Sequence, residues 1–97
     1  MNIPDQADYR NNPLLEAEET RHEHEDEARK IRRLQLMMSM VMSVISQDSS
    51  LTIEEASELA AGAKRAALAM FPDKELAYDL LYKPRVQRVM KERFRLQ

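Results

Sequence analysis

The clearest chemical spacing in this sequence is the E-x-x-H formed by Glu19 and His22. On a helix it places a carboxylate and an imidazole on one face, as in ferritin-like di-iron bundles. Such sites also need glutamates from facing helices and an apolar, ordered surrounding, whereas this pair lies in the highly charged run 16–33. We therefore interpret Glu19 and His22 as weak metal candidates on a solvated helix surface, and we expect no metal and no cofactor.

His24 lies on the backward extension of an apolar seam that begins at Ile31. At a contact between two helices it would act as a pH-sensitive polar residue, because the unperturbed imidazole titrates near pH ~6.5. The favoured alternative is that the helices have separated before they reach His24.

Methionines crowd one segment of the chain, at positions 37, 38, 40 and 42. Thioethers can bind Cu(I), and flexible methionines can line an adaptable groove for a partner helix. At helical spacing, however, methionine is typical of plain core or of an oligomer interface, and this is the interpretation that we favour.

Basic residues recur near the C-terminus, opposed only by Glu92, and the candidate contacts there are Arg85, Arg88, Lys91 and Arg95. They could contact phosphates, an acidic protein partner, or carboxylates of the same chain such as Asp79. The basic face has no interleaved aromatic residues, and the formal net charge of the chain is -2. Nucleic-acid binding is therefore the less favoured interpretation.

No catalytic arrangement is apparent. The chain has no cysteine and a single glycine, so it offers neither a thiol nucleophile nor a glycine-rich phosphate loop. Both histidines lie in the exposed charged stretch. We expect that the protein is not an enzyme and has no catalytic residue.

The fold class is predicted to be all-α, because one glycine and four prolines in 97 residues are too few turn residues for a β-rich chain. We expect one long N-terminal helix, opened by Asn12 and Pro13 and ending near Gln47, packed with two to three shorter helices in a small bundle. The shorter helices are predicted at about 53–70, 74–82 and 84–94, with a break or kink at Pro84. Residues 1–12 are predicted to be a flexible arm, and 13–97 a single helical domain.

Thr52 and Glu55 have the spacing of a capping box at the start of the second helix, and Asp73 can cap the third. The second helix has a small-residue face, on which we expect helix one to pack closely; it consists of Ala56, Ala60, Ala63 and Ala67.

Self-association is predicted from the second half of the long helix. A 34-residue helix is about 51 Å long, whereas a compact domain of this size has a diameter of about 32 Å. One apolar stripe can be covered by the later helices, but a second would stay exposed unless another chain covered it. The predicted oligomer interface comprises Ile31, Leu34, Met37, Met38, Met40, Val41, Val44 and Ile45.

These patterns favour a small structural or adaptor protein that acts through homo-oligomerisation, most simply as a dimer, and through contacts with other proteins. The alternatives are a metal-binding helical bundle and a nucleic-acid-associated protein that uses the basic C-terminal helix. The longest apolar run, about 12 residues, is shorter than the ~20 that a bilayer needs, and the N-terminus is polar. We therefore expect a cytoplasmic protein without a membrane partner.

Overall fold

The computed structural model describes residues 13–95, and within this range the chain forms helices and no strand. In chain order they are α1 (Pro13–Gln47), α2 (Ile53–Met70), α3 (Glu75–Leu81) and α4 (Lys83–Phe94). The all-α prediction is confirmed, and the predicted bounds of α1 and α2 are reproduced. The predicted arm 1–12, including the Asn12 cap, lies outside the described residues.

Backbone contacts divide the chain into two units, Met1–Arg32 and Arg33–Gln97. In the described part of the first unit every side chain is exposed except that of Leu15, which is half-buried. Glu25 with Arg29, and Asp26 with Lys30, have the four-residue spacing of helical ion pairs, but neither pair is formed. Arg29 pairs instead with Asp26, and His22 Nδ1 lies 3.9 Å from a Glu25 carboxylate oxygen. Partners three and four residues apart share a helix face, so exposed side chains can choose either.

A predicted capping box starts α2 and is confirmed. The Glu55 N–H donates to the Thr52 hydroxyl at 3.1 Å, and the Thr52 N–H donates to the Glu55 carboxylate at 3.0 Å. In the preceding loop, the Asp48 carboxylate accepts hydrogen bonds from the Ser50 N–H and hydroxyl. The capping box fixes where α2 begins, because it satisfies amides that have no partner within the helix, and the Asp48 bonds order the loop before it.

The core of the second unit brings together all four of its helical segments. Its buried cluster consists of Met38, Ala63, Ala67, Tyr78 and Val86. Partly buried side chains surround it, among them Leu34, Val41, Tyr82 and Met90. The cluster contains one residue from α1, two from α2 and one from each of α3 and α4, which is helical-bundle packing.

The small-residue face of α2 is buried as predicted at Ala56, Ala63 and Ala67. It does not, however, bring α2 closest to α1, as the sequence suggested: the closest backbone approaches of α2 are to α3 and α4. From α1 the long Met38 side chain reaches into the core, so α1 contributes a side chain there rather than a close backbone contact. Gly62 is not needed for close packing either, because an added Cβ would meet only the Arg65 guanidinium, at 3.7 Å.

The two C-terminal helices lie within one residue of their predicted bounds, and the predicted break at Pro84 is present, but the predicted cap is not. α3 starts at Glu75, and neither Asp73 nor any other side chain caps it. Tyr82 interrupts the helical run, and α4 starts at Lys83 with Pro84 in its first turn. Proline is tolerated there because the first amides of a helix have no intrahelical partner. Pro84 is therefore the second residue of α4 and lies at a helix start, not within a continuous helix.

Candidate protein–protein interaction site

An exposed apolar stripe runs along the second half of α1. Leu36, Met40 and Val44 follow one another at four-residue spacing, which places them along one side of the helix. Their side chains are 63%, 60% and 41% exposed, respectively. Met37, half-buried, lies next to them on the side that faces α2. We call Leu36, Met37, Met40 and Val44 the α1 stripe.

The residues predicted to form an interface fall into two groups. Met38 and Ile45 are fully buried within the chain, and Leu34 and Val41 are half-buried. Helices α2 to α4 therefore cover the first predicted apolar seam, at least from Leu34 onwards. Ile31 is 43% exposed and lies in the first unit. The side chains that remain accessible in the second unit are those of the α1 stripe, to which Leu36 is an addition.

An open groove of about 440 Å³ adjoins the α1 stripe between α1 and α2. Its apolar lining is provided by Met37, Val41, Leu59, Gly62 and Ala63. Two carboxylates stand at its edge, and both already have partners. Glu55 belongs to the capping box, and Glu58 accepts a hydrogen bond from Arg65 at 2.9 Å. The groove can thus receive an apolar side chain without leaving an unpaired charge beneath it.

Three leucines on α3 form a second exposed apolar patch that the sequence analysis missed. Leu76, Leu80 and Leu81 are 73%, 68% and 64% exposed. The four-residue spacing of Leu76 and Leu80 could have indicated this patch, because it places them on one side of a short helix and Tyr78 on the other. It was missed because leucine in a short helix is usually read as core.

The predicted basic contacts are mostly solvent-exposed. Arg85 does not pair with Asp79; its guanidinium lies 5.6 Å from the centre of the Tyr82 ring. Arg88, Lys91 and Arg95 are exposed, and no carboxylate pairs with them within residues 13–95. Arg93, which was not a candidate, donates a hydrogen bond to the Asp48 carbonyl at 3.1 Å and so ties α4 to the α1–α2 loop. Phosphate binding by the four predicted basic residues stays a prediction.

Asp79 pairs with Lys64 rather than with Arg85. The Lys64 ammonium lies 3.1 Å from an Asp79 carboxylate oxygen that solvent does not reach, and 3.2 Å from Glu75. Hydrogen bonds to Asp79 and Glu75 raise the pKa of Lys64 above its usual value. This cluster links α2 to α3, and the raised pKa keeps the Lys64 amine protonated and therefore not nucleophilic, so we assign the cluster a structural role.

The metal candidates are exposed, and the carboxylate beside His22 is that of Glu25 rather than Glu19. Glu19 and His22 both face solvent, as does His24. Among the described residues no group of three or more histidine, aspartate or glutamate side chains could hold an ion.

Comparison with known proteins supplies no relative: no family model matches the chain, and neither a curated protein nor a solved structure matches it. In the described part of the chain no helix is long and apolar enough to span a bilayer. We therefore infer the function of this protein from its own surfaces.

Proposed function

We propose that this protein is a small helical structural or adaptor protein that works by self-association through the α1 stripe and by contacts with other proteins. The observation that supports this proposal is the row of Leu36, Met40 and Val44, three large apolar side chains exposed together on one helix. Burying apolar area stabilises an association by roughly 25 cal/mol per Å². Contiguous exposed apolar surface is typical of interaction sites.

A two-fold dimer is the simplest assembly that would bury this surface. In such a dimer the same patch is used twice, so it must be complementary to itself. The α1 stripe and the adjoining α1–α2 groove meet this requirement, because one offers protruding apolar side chains and the other an apolar recess. Methionine suits the role, since its unbranched side chain adapts to the shape that it meets.

The test replaces Met40 and Val44 together by Glu. Both are exposed, so the double variant should fold with unchanged helix content but should dissociate, because the interface would bury unpaired carboxylates. Light scattering or sedimentation at tens of micromolar (roughly the range of a moderate dimer) should show a wild-type dimer and a variant monomer. Met38→Glu is unsuitable here, since Met38 is fully buried and its loss would unfold the chain.

The matched control replaces Gln35 and Ser46 by Glu. Both residues are exposed on α1, neither lies three or four residues from a member of the stripe, and together they add the same charge. The control should remain dimeric. A wild-type monomer, or equal dissociation of both double variants, would contradict the proposal.

A further inference from the structure

A second groove, distinct from the α1–α2 groove, lies between α2 and α4 and has a volume of about 510 Å³. Its apolar lining comes from two small residues of α2, Ala60 and Ala61, and two larger residues of α4, Val86 and Met90. The small side chains leave room above the α2 backbone. The groove is open and bordered by two helices, an arrangement that can accept a third helix.

Cationic side chains border this groove on the α4 side. Lys83 and Lys91 line it, with the neutral Gln87 between them, and the four-residue spacing of the three places them in one row along α4. No carboxylate within residues 13–95 pairs with Lys83 or Lys91. On the α2 side the only cation is Lys64, which is already committed to Glu75 and Asp79. The free positive charge is therefore confined to one edge.

We propose that the α2–α4 groove binds an amphipathic helix of a partner protein whose acidic edge faces α4. Its apolar side chains would fill the space over Ala60 and Ala61 and pack against Val86 and Met90. Two of its carboxylates would pair with Lys83 and Lys91. These lysines are eight residues apart, or about 12 Å along α4, so the matching acidic residues stand about two helical turns apart.

This inference rests on the proposed function only in assuming that the protein acts through protein contacts, since it uses a different surface. It names the kind of partner that an adaptor of this structure would take. The occupant must supply both negative charge for the lysines and apolar side chains for the groove. The charged half of α1 from a second copy is acidic but nearly devoid of apolar side chains. It would pair with the lysines without filling the groove, so a partner helix fits better.

The probe is a synthetic dye-labelled helical peptide with leucines along one face and two glutamates about two turns apart along one edge. Its matched control has the same composition with the glutamates moved to the opposite edge of the polar face. Fluorescence anisotropy with the full chain should show at least tenfold tighter binding of the first peptide, and the difference should shrink as salt screens the pairs. Equal binding of the two peptides would overturn the proposal.

Charge reversal locates the site. Lys83→Glu with Lys91→Glu should weaken binding of the first peptide at least tenfold, whereas Lys74→Glu with Arg88→Glu, which reverses two exposed charges outside the groove, should change it little. Ala61→Leu, which fills the groove without altering charge, should also weaken binding. Binding that survives both Lys83→Glu with Lys91→Glu and Ala61→Leu places the peptide elsewhere and overturns the proposal.

The two proposals fail separately. Loss of the wild-type dimer in Lys83→Glu with Lys91→Glu would make the groove a contact between copies and overturn the partner-helix proposal. Displacement of the peptide by dodecanoate at stoichiometric amounts, with no difference between the two peptides, would assign the groove to an anionic amphiphile instead. Dissociation by Met40→Glu with Val44→Glu, with peptide binding retained, supports both.

Discussion

At the scale of single residues, Tyr78 is the most unusual group in the core. It is the one polar residue of the buried cluster, and its hydroxyl lies 4.0 Å from the Met38 sulfur. Its ring contacts that of Tyr82 with a centroid distance of 5.8 Å. Burial raises the pKa of the Tyr78 hydroxyl, and the Lys64 charge opposes that shift only in part. The phenol is therefore held in its neutral form more firmly than in the unfolded chain.

This shift predicts a loss of stability at alkaline pH. With a folded-state pKa above the unfolded value of about 10, the folded chain keeps a proton that the unfolded chain releases, so stability falls as the pH rises past 10. Lys64, whose pKa is also raised, contributes a loss in the same direction. In Tyr78→Phe only the Lys64 contribution remains, so urea unfolding between about pH 8 and 11 should show a shallower decline than in the wild type.

At neutral pH Tyr78→Phe should change stability by no more than about 1 kcal/mol, because the contact of its hydroxyl with sulfur is weak. The difference in tyrosinate absorbance between wild type and variant isolates the Tyr78 titration from those of Tyr9 and Tyr82. Parallel declines of stability with pH in the two proteins would show that the Tyr78 hydroxyl reaches water.

At the scale of elements, α2 is the helix on which the second unit is assembled. Its capping box fixes its start, and its buried alanines allow the close approach of α3 and α4. Ala67 is 3% exposed and belongs to the buried cluster. Because the neighbouring helices pack closely against it, a larger side chain at this position has no free space.

Ala67→Leu should therefore destabilise the protein by roughly 1–3 kcal/mol through overpacking. Ala and Leu differ little in helix propensity, so the loss can be assigned to packing. Ala69→Leu, at an exposed position of the same helix, is the matched control and should be nearly neutral. The comparison uses chemical denaturation at neutral pH. An Ala67→Leu variant as stable as Ala69→Leu would mean that the α2 face repacks without strain.

At the scale of elements, the sequence predicted those features that depend on residues close together in the chain. The bounds of α1 and α2 and the Thr52–Glu55 capping box were predictable, because caps and helical periodicity act over a few residues. α3 starts within one residue of its predicted position, but the predicted Asp73 cap is absent; a seven-residue helix without a side-chain cap depends on tertiary packing, here of the buried Tyr78. The Lys64–Asp79 pair joins two helices, and nothing in local spacing could have identified it.

The candidate surfaces were predictable only in part, for a similar reason. Periodicity showed that α1 had more apolar surface than one seam could use, and the exposed Met40 and Val44 agree with that argument. Tertiary packing determines which side of α1 the later helices cover. Residue type alone therefore could not distinguish the buried Met38 and Ile45 from the exposed residues of the α1 stripe. The α2–α4 groove exists only once two helices separated in sequence have packed.

At the scale of the whole molecule, the two units differ in what maintains their helices. In the described part of the first unit no side chain is buried, and its ion pairs are exposed. Exposed pairs of this kind contribute at most about 1 kcal/mol each. In the second unit α1 is anchored by Met38 and Ile45, whose side chains have no exposed area. Local opening should therefore require far less free energy in the charged part of α1 than in its apolar part.

Native-state hydrogen exchange measures this difference directly. Amides across 16–26 should exchange quickly, and amides across 34–45 slowly, because the latter can open only when the core is disrupted. The same helix supplies both segments, so intrinsic helical hydrogen bonding is matched and burial is the variable. Repeating the measurement with Met40→Glu and Val44→Glu separates core packing from self-association: protection of 34–45 should fall in part but remain above that of 16–26. Equal protection of the two segments in the wild type would mean that the charged part of α1 is held by a contact with another chain, and that the acidic residues from Glu16 to Glu27 are an interface rather than a solvated surface.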